Sequence, residues 1–266
     1  GKIAEMIGLT GCRVLLPKEG VLEKLSVFVP VKNKEELLDA MFNAGAGNIG
    51  NYSECSFIIE GTGTFKAGEN ADPYVGRKGE RHREEEVKIE VIFPTWLRNR
   101  VVQAMVKNHP YEEPAYDIYG TVTSYRQAGS GLTGNLKEPV EESVFLQTLQ
   151  DIFKTPVIKH TVLAGKKIRK VAVCGGAGSF LIKDAIQQQA DIYISSDIKY
   201  HEFFDAEGIV VADIGHFESE QYSIDLLAEL LRKNFPNFAV LKTALGTNPV
   251  HYFKGRGTGA QPGPVK

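Results

Sequence analysis

Polar and apolar residues alternate at period two from Glu86 to Val91, which predicts a strand with one wet face. Upstream, Leu25–Val31 is a nearly continuous apolar strand. Asn33 stands where it would cap a following helix, with Glu36 at the capping-box position. Leu37, Leu38, Met41 and Phe42 form the apolar stripe of that helix and Gly45 ends it. Cys55–Glu60 is a second strand, followed by a polar, glycine-rich excursion from Gly61 to Arg83. Pro94-Thr95 opens a second helix, with Leu97, Val101, Ala104 and Met105 on one face, and His109-Pro110 closes it. Ala115–Val122 is the fourth strand. The order β-α-β-β-α-β over Lys24–Val122 predicts a ferredoxin-like α+β unit.

The pattern changes after Ser124–Asn135, which reads as a Gly/Ser-bearing connector. From Ile168 onward, apolar strands alternate with helices. Strands are expected at Val171–Cys174, Asp191–Ser195, Ile209–Ala212 and Phe238–Lys242, and helices at Phe180–Gln189, Tyr200–Asp205 and Glu218–Lys233. Continuous apolar strands separated by helices predict an α/β domain with a parallel sheet covered on both faces. The chain opens inside a helical pattern, Ile3–Ile7, stopped by Gly8. With no capping residue ahead of it, that pattern suggests missing upstream sequence. Residues 254–266 are Gly/Pro-rich and polar, and are expected to be a disordered tail.

Composition narrows the function. Hydrophobic residues make up 42% of the 266, enough for a real core. Lys+Arg number 31 against Asp+Glu 33, so no basic excess calls for nucleic acid. Cys12, Cys55 and Cys174 are far apart and form no CxxC pair, which argues against a disulfide framework or a cysteine zinc site. No apolar run is long enough to cross a bilayer and no signal-peptide layout opens the chain, so a cytoplasmic protein is expected.

Parallel α/β sheets place their sites beyond the carboxyl ends of the strands. Those ends read Gly175–Ser179, Ser196-Asp197 and Asp213–His216, richer in Gly, Asp and His than the rest of the segment. His216 and Glu220 are four apart, on one helical face, where an imidazole and a carboxylate can share a divalent metal. Equally, His216 can cap its helix while Glu220 is solvated. Asp197 can cap the next turn, or bring His201 to the same cleft as a proton carrier or a support for a ligand. The glycine run Gly175–Ser179 offers N–H groups to an anion but lacks the P-loop lysine. Gly129, Gly131 and Gly134 match GxGxxG without a strand-to-helix context, and read as a hairpin turn. His109–Pro114 reads as a rigid turn, and Arg81–Glu86 as a solvated charge run.

Asp213–Gln221 closely resembles the GHxxxE signature of the Nif-three-like family, whose bacterial members are labelled GTP cyclohydrolase 1 type 2 homologues. Val173–Ser179 resembles that family's glycine segment, and Ala190–His201 its stretch ending in DxKyH. Lys24–Val122, with the turn HPYEEPA, resembles the CutA/PII-like insert of its longer bacterial members. The resemblance implies a two-metal hydrolase centre. His216 and Glu220 would be metal ligands, His201 a catalytic group, and the cofactor a divalent metal, zinc, with two ions per subunit in the intact site. It also implies a homo-oligomer, trimer or hexamer, and a small-molecule substrate; membrane and nucleic-acid partners are not expected. The family's further ligands, a His-His pair and an Asp, are not found here, and Leu132 stands where the family usually has Arg. The expected plan is therefore a remnant of the main domain at 1–23, the insert at 24–122 and the rest of the main domain at 123–253. A regulatory or scaffold oligomer with a sensor-like insert is the alternative.

Overall fold

The computed structural model describes residues 1–253. It divides into two compact units, one formed by Gly1–Leu16 with the chain from Ser130 onward, the other by Pro17–Gly129.

The second unit is built on β2 (Leu22–Pro30), α2 (Lys34–Asn43), β3 (Ser56–Lys66), β4 (Arg81–Pro94), α3 (Arg98–Asn108) and β5 (Tyr116–Thr121). Its sheet order, β3-β4-β2-β5, is the expected ferredoxin-like arrangement, antiparallel throughout. Register explains the sharp alternation of β4. Val87, Ile89 and Val91 lie opposite Val29, Val27 and Leu25, and all six are buried under Leu37, Met41, Val101 and Met105 of the two helices. On the other face, Glu90 is held by Lys24 at 3.2 Å, Lys88 at 2.8 Å and the Tyr119 hydroxyl at 3.0 Å. Two expectations fail. Asn33 precedes α2 but makes no capping bond, and its Oδ1 is buried without a partner. The polar excursion is shorter than expected, because β3 runs on to Lys66 and β4 begins at Arg81, pairing along the whole length between.

The first unit holds α1 (Lys2–Ile7), β1 (Thr10–Lys18), β6 (Tyr125–Glu141), α4 (Glu142–Phe153), β7 (Lys159–His160), β8 (Lys167–Ala177), α5 (Ile182–Gln187), β9 (Ile192–Ser196), β10 (Val210–Asp213), α6 (His216–Glu220) and α7 (Ser223–Asn234). Strand order is β1-β6-β8-β9-β10-β7. The central strands β8, β9 and β10 are parallel, as their unbroken apolar runs predict, while β6 and β7 pair antiparallel to them, so the sheet as a whole is mixed. Both faces are covered. Val171, Val173, Ile192, Ile194, Val210 and Ala212 pack with α1 and α4, and the intervening Ala172, Tyr193 and Val211 pack with α5.

Ser124–Asn135 is not a connector: it lies mostly within β6, and Gly131 and Gly134 are strand residues rather than a hairpin turn. Both glycines serve close approach. A β-carbon on Gly134 would sit 2.9 Å from Cys12 Sγ and 3.1 Å from the Thr10 carbonyl, so only glycine lets β1 lie against it. Phe238–Lys242 forms no strand, and the expected helix at Glu218–Lys233 is two helices, α6 and α7. The expected tail lies outside the described residues. None of the described helices is long and apolar enough to cross a membrane.

Phe153, fully buried where α4 meets the sheet, anchors the larger core cluster. Phe153→Ala is expected to cost roughly 3–5 kcal/mol, seen as a lower midpoint in urea denaturation.

Candidate functional site

Because β8, β9 and β10 are parallel, their carboxyl ends open on one side of the sheet. Asp213, the last residue of β10, is buried there and ties the loops together. Its Oδ1 accepts the Gly215 N–H at 3.0 Å; its Oδ2 accepts the Ile198 N–H at 3.2 Å and meets Lys159 Nζ at 2.6 Å. The loop after β9 is thereby joined to the turn that starts α6. Each loop contains a left-handed residue, Asp197 at φ +55° and Gly215 at φ +91°. An aspartate tolerates that conformation with little strain. At Gly215 it combines with ψ 145°, a region open in practice to glycine alone, and an added β-carbon would also run into the Glu218 carboxylate.

These turns bring three side chains into line. His216 Nδ1 lies 2.6 Å from Asp197 Oδ2, and His216 Nε2 lies 3.2 Å from Glu220 Oε2. The imidazole is therefore held at both nitrogens by carboxylates from two different elements, with all three groups about half exposed. The hydrogen bond to Asp197, with the two negative charges, holds the His216 pKa above the ordinary histidine range despite some burial. Gly176, at φ +66°, backs the group: a β-carbon there would collide with Glu220 Oε1 and come within 3.6 Å of His216 Cε1. Ser219 locks α6 onto the same turn, accepting the Gly176 N–H at 2.9 Å and donating to the His216 carbonyl at 2.8 Å. Ser195 donates to the Gly176 carbonyl at 3.1 Å, and Tyr193 to the Gly178 carbonyl at 2.6 Å. The Gly176 amide is thus spoken for, and the glycine run does not present it to an anion.

Of the residues expected from the sequence, His216 and Glu220 come together on one side of α6. Gly215, not His216, is the N-cap, and Glu220, although half exposed, faces the imidazole. Asp197 caps nothing, since the N-cap of the Tyr200–Asp205 turn is Lys199; it pairs with His216 instead. His201 stands exposed on that turn, and among the described residues no hydrogen bond or ion pair joins it to His216 or Glu220. The turn is fixed by Glu202, which accepts from the Lys199 N–H at 2.7 Å and the Ser179 hydroxyl at 2.9 Å. The positioning roles of Asp213, Ser219 and Ser195 had no sequence signal beyond their place at strand and helix ends.

Imidazole and carboxylate suit a borderline divalent ion. Asp197 and Glu220 lie at opposite nitrogens of the ring, however, so the three do not surround one point. Among the described residues no cluster of three or more His, Cys, Asp or Glu is arranged to hold a metal. His216 and Glu220 fit part of a coordination sphere, and Asp197 fits the partner that fixes a ligand's other nitrogen.

Asp197→Asn removes the main cause of the raised His216 pKa. In an NMR titration the His216 ring midpoint is expected to fall toward the ordinary histidine value. With a folded-state pKa above the unfolded one, the stabilisation from this pair is complete below the unfolded pKa and lost as pH rises through the folded pKa. The variant should therefore lose the most stability at the acid side of that window. An unchanged midpoint would remove Asp197 from its assigned role.

A family model for Duf34/NIF3 (NGG1p interacting factor 3) matches residues 1–249. A GTP cyclohydrolase 1 type 2 homolog of Halalkalibacterium halodurans is 37% identical over 253 residues, covering 93% of this chain and 68% of that protein. The Bacillus subtilis protein of the same name is 38% identical over 218 residues, covering 81% of this chain, which spans 58% of its length. Among solved structures, a Bacillus cereus protein related to NIF3 is similar at a TM-score of 0.76 and 36% identity, over 94% of this chain and 68% of that one. A match along nearly the whole described length, together with these relatives, places the chain in the Duf34/NIF3 family.

Proposed function

We propose that this chain contributes His216 and Glu220 to a divalent-metal site, zinc being the ion best suited to the donors, in a two-metal hydrolase of the kind its relatives' label suggests. The observation that carries the reading is the position of His216 between two carboxylates. With Nδ1–H donated to Asp197, the neutral ring would carry its lone pair on Nε2, aimed at Glu220. A cation at that point takes the place of the Nε2 proton, and Asp197 keeps the ring oriented throughout. Gly176 leaves the Glu220 carboxylate room against the backbone. A bound pair of metals would supply an activated water and a clamp for the attacked oxygen. His201, one strand end away, is proposed as a proton carrier at the mouth. The free thiols of Cys12, Cys55 and Cys174 fit a reducing, cytoplasmic setting.

Calorimetric zinc titration of the chain, beside His216→Ala and Glu220→Gln, tests the ligand assignment. Each substitution is expected to weaken binding by roughly tenfold or more, a loss of at least ~1.4 kcal/mol. Equal binding by wild type and both variants would sink it.

A second reading, a regulatory or scaffold homo-oligomer, is favoured by one observation. The edge strand β3 carries Phe57 and Ile59 at 64% and 47% exposure, an apolar edge of the type that pairs with another chain. If this strand is the assembly surface, Phe57→Lys with Ile59→Lys lowers the mass measured by light scattering; an unchanged mass excludes β3 from assembly.

A further inference from the structure

The ferredoxin-like unit contains a cavity of about 630 Å³ that the metal site does not use. Its walls are Phe28, the end of β3 with the loop that follows it, Glu86 and Tyr111. Three features of this cavity point to one class of ligand.

The first is a buried carboxylate satisfied on one side only. Glu86 is 8% exposed. Its Oε1 accepts the Tyr111 hydroxyl at 2.7 Å, while Oε2 has no protein partner among the described residues and is open to the cavity. Gly63 permits this placement, because a β-carbon on it would occupy the position of Oε2. A ligand donor at this oxygen would make a charge-assisted hydrogen bond in a site largely shielded from water.

The second is the aromatic wall. Phe65 and Tyr111 have ring centroids 6.0 Å apart, and Tyr74 and Tyr111 lie 6.2 Å apart. Tyr74 already accepts a cation, since Lys32 Nζ stands 4.7 Å from its ring centre. The third is charge. The charged side chains along the wall, Glu86 aside, are Lys66 against Asp72, Glu112 and Glu113, so the cavity is net acidic.

His109 does not supply the missing positive charge. Its Nε2 donates to the Phe28 carbonyl at 2.8 Å and its Nδ1 accepts the Tyr111 N–H at 3.1 Å, which fixes one neutral tautomer. The ring is a brace that aims Tyr111 at Glu86. The segment His109–Pro114 is a rigid turn that also braces Tyr111, and Glu86, at the end of the charge run, is largely buried rather than solvated.

From this convergence we infer that the cavity binds a small organic cation, a protonated amine whose N–H donates to Glu86 Oε2 while its carbon skeleton lies against Phe65, Tyr74 and Tyr111. The carboxylate gives the site its preference for charge, and the rings give it tolerance of the attached chain.

The probe is n-butylammonium, with 1-butanol as the uncharged control of equal length, titrated into the full chain and followed by ligand-observed NMR. Saturable binding of the ammonium, absent for the alcohol, is expected. Glu86→Gln keeps the shape and removes the charge, and should weaken binding by roughly tenfold or more; Tyr74→Ala should weaken it about threefold to tenfold through the lost apolar contact with the carbon skeleton. Thermal unfolding first checks that each variant folds. Tyr74 is half exposed, so its variant stays informative even if Glu86→Gln does not fold. Equal binding of alcohol and ammonium, no saturable binding, or undiminished affinity in whichever variant folds would overturn the inference. Zinc binding at His216 is read separately and is expected to be unaffected in both variants.

Discussion

A single buried carboxylate holds the strand-end site together. Asp213 closes β10 and bridges three groups: the Ile198 amide after β9, the Gly215 amide at the start of α6, and the Lys159 ammonium. Without an acceptor there, the Ile198 and Gly215 amides would be buried donors with nothing to meet, each costing about 1–3 kcal/mol. The consequence reaches the surface. Ile198 follows Asp197 directly and Gly215 precedes His216, so one anchor sets the spacing of the residues that flank the imidazole. The left-handed backbone at Asp197 and Gly215 persists because this anchor over-determines it.

Glu86 of the ferredoxin-like unit is the instructive contrast. Both carboxylates are buried, yet Asp213 has partners for both oxygens and Glu86 for only one. A fully satisfied buried acid fixes a structure; one with an oxygen open to a cavity can accept a donor from outside the chain. In both places glycine sets the geometry. Gly215 lets the chain turn sharply after Asp213, and Gly63 lets a carboxylate lie flat against a neighbouring strand. The difference is that the first glycine is required by φ and the second by space alone.

Much of this was legible from the order of residues, and the failures share a cause. Period-two alternation in β4 and the apolar runs of β8, β9 and β10 report burial directly, and the elements they predict are present. The i, i+4 spacing of His216 and Glu220 likewise reports a helical face. What failed were elements defined by contact at long range. β6 was hidden because its glycines look like loop residues, although Gly134 is small to admit β1, more than a hundred residues away. α4 carries a plain stripe of Phe145, Leu149 and Phe153, but the stripe alone does not name its partners, Val171, Ile192 and Val210 of distant strands. Phe238–Lys242 has the composition of a strand but pairs with none of the described strands. Glu86 sat inside a run of charges whose solvation was the natural expectation, and only the register opposite Gly61 and the return of Tyr111 bury it.

The same reasoning limits what spacing could have said of the candidate metal site. A histidine and a glutamate one turn apart on an exposed helix usually form a weak, solvated pair. What separates this pair from that background is Asp197, nineteen residues upstream, which occupies the ring's other nitrogen and cannot be found by any helical repeat. With one nitrogen fixed, the second has a single direction to face, and that direction is Glu220. A proton satisfies the pair when nothing else does; the His216 pKa is raised chiefly by Asp197 and in smaller part by Glu220. A group that favours a proton between an imidazole and a carboxylate also favours a divalent cation there, because both relieve the same repulsion between lone pairs. The competition between proton and cation for that one position is the physical link between the positive-φ turns at the strand ends and the chemistry proposed for them.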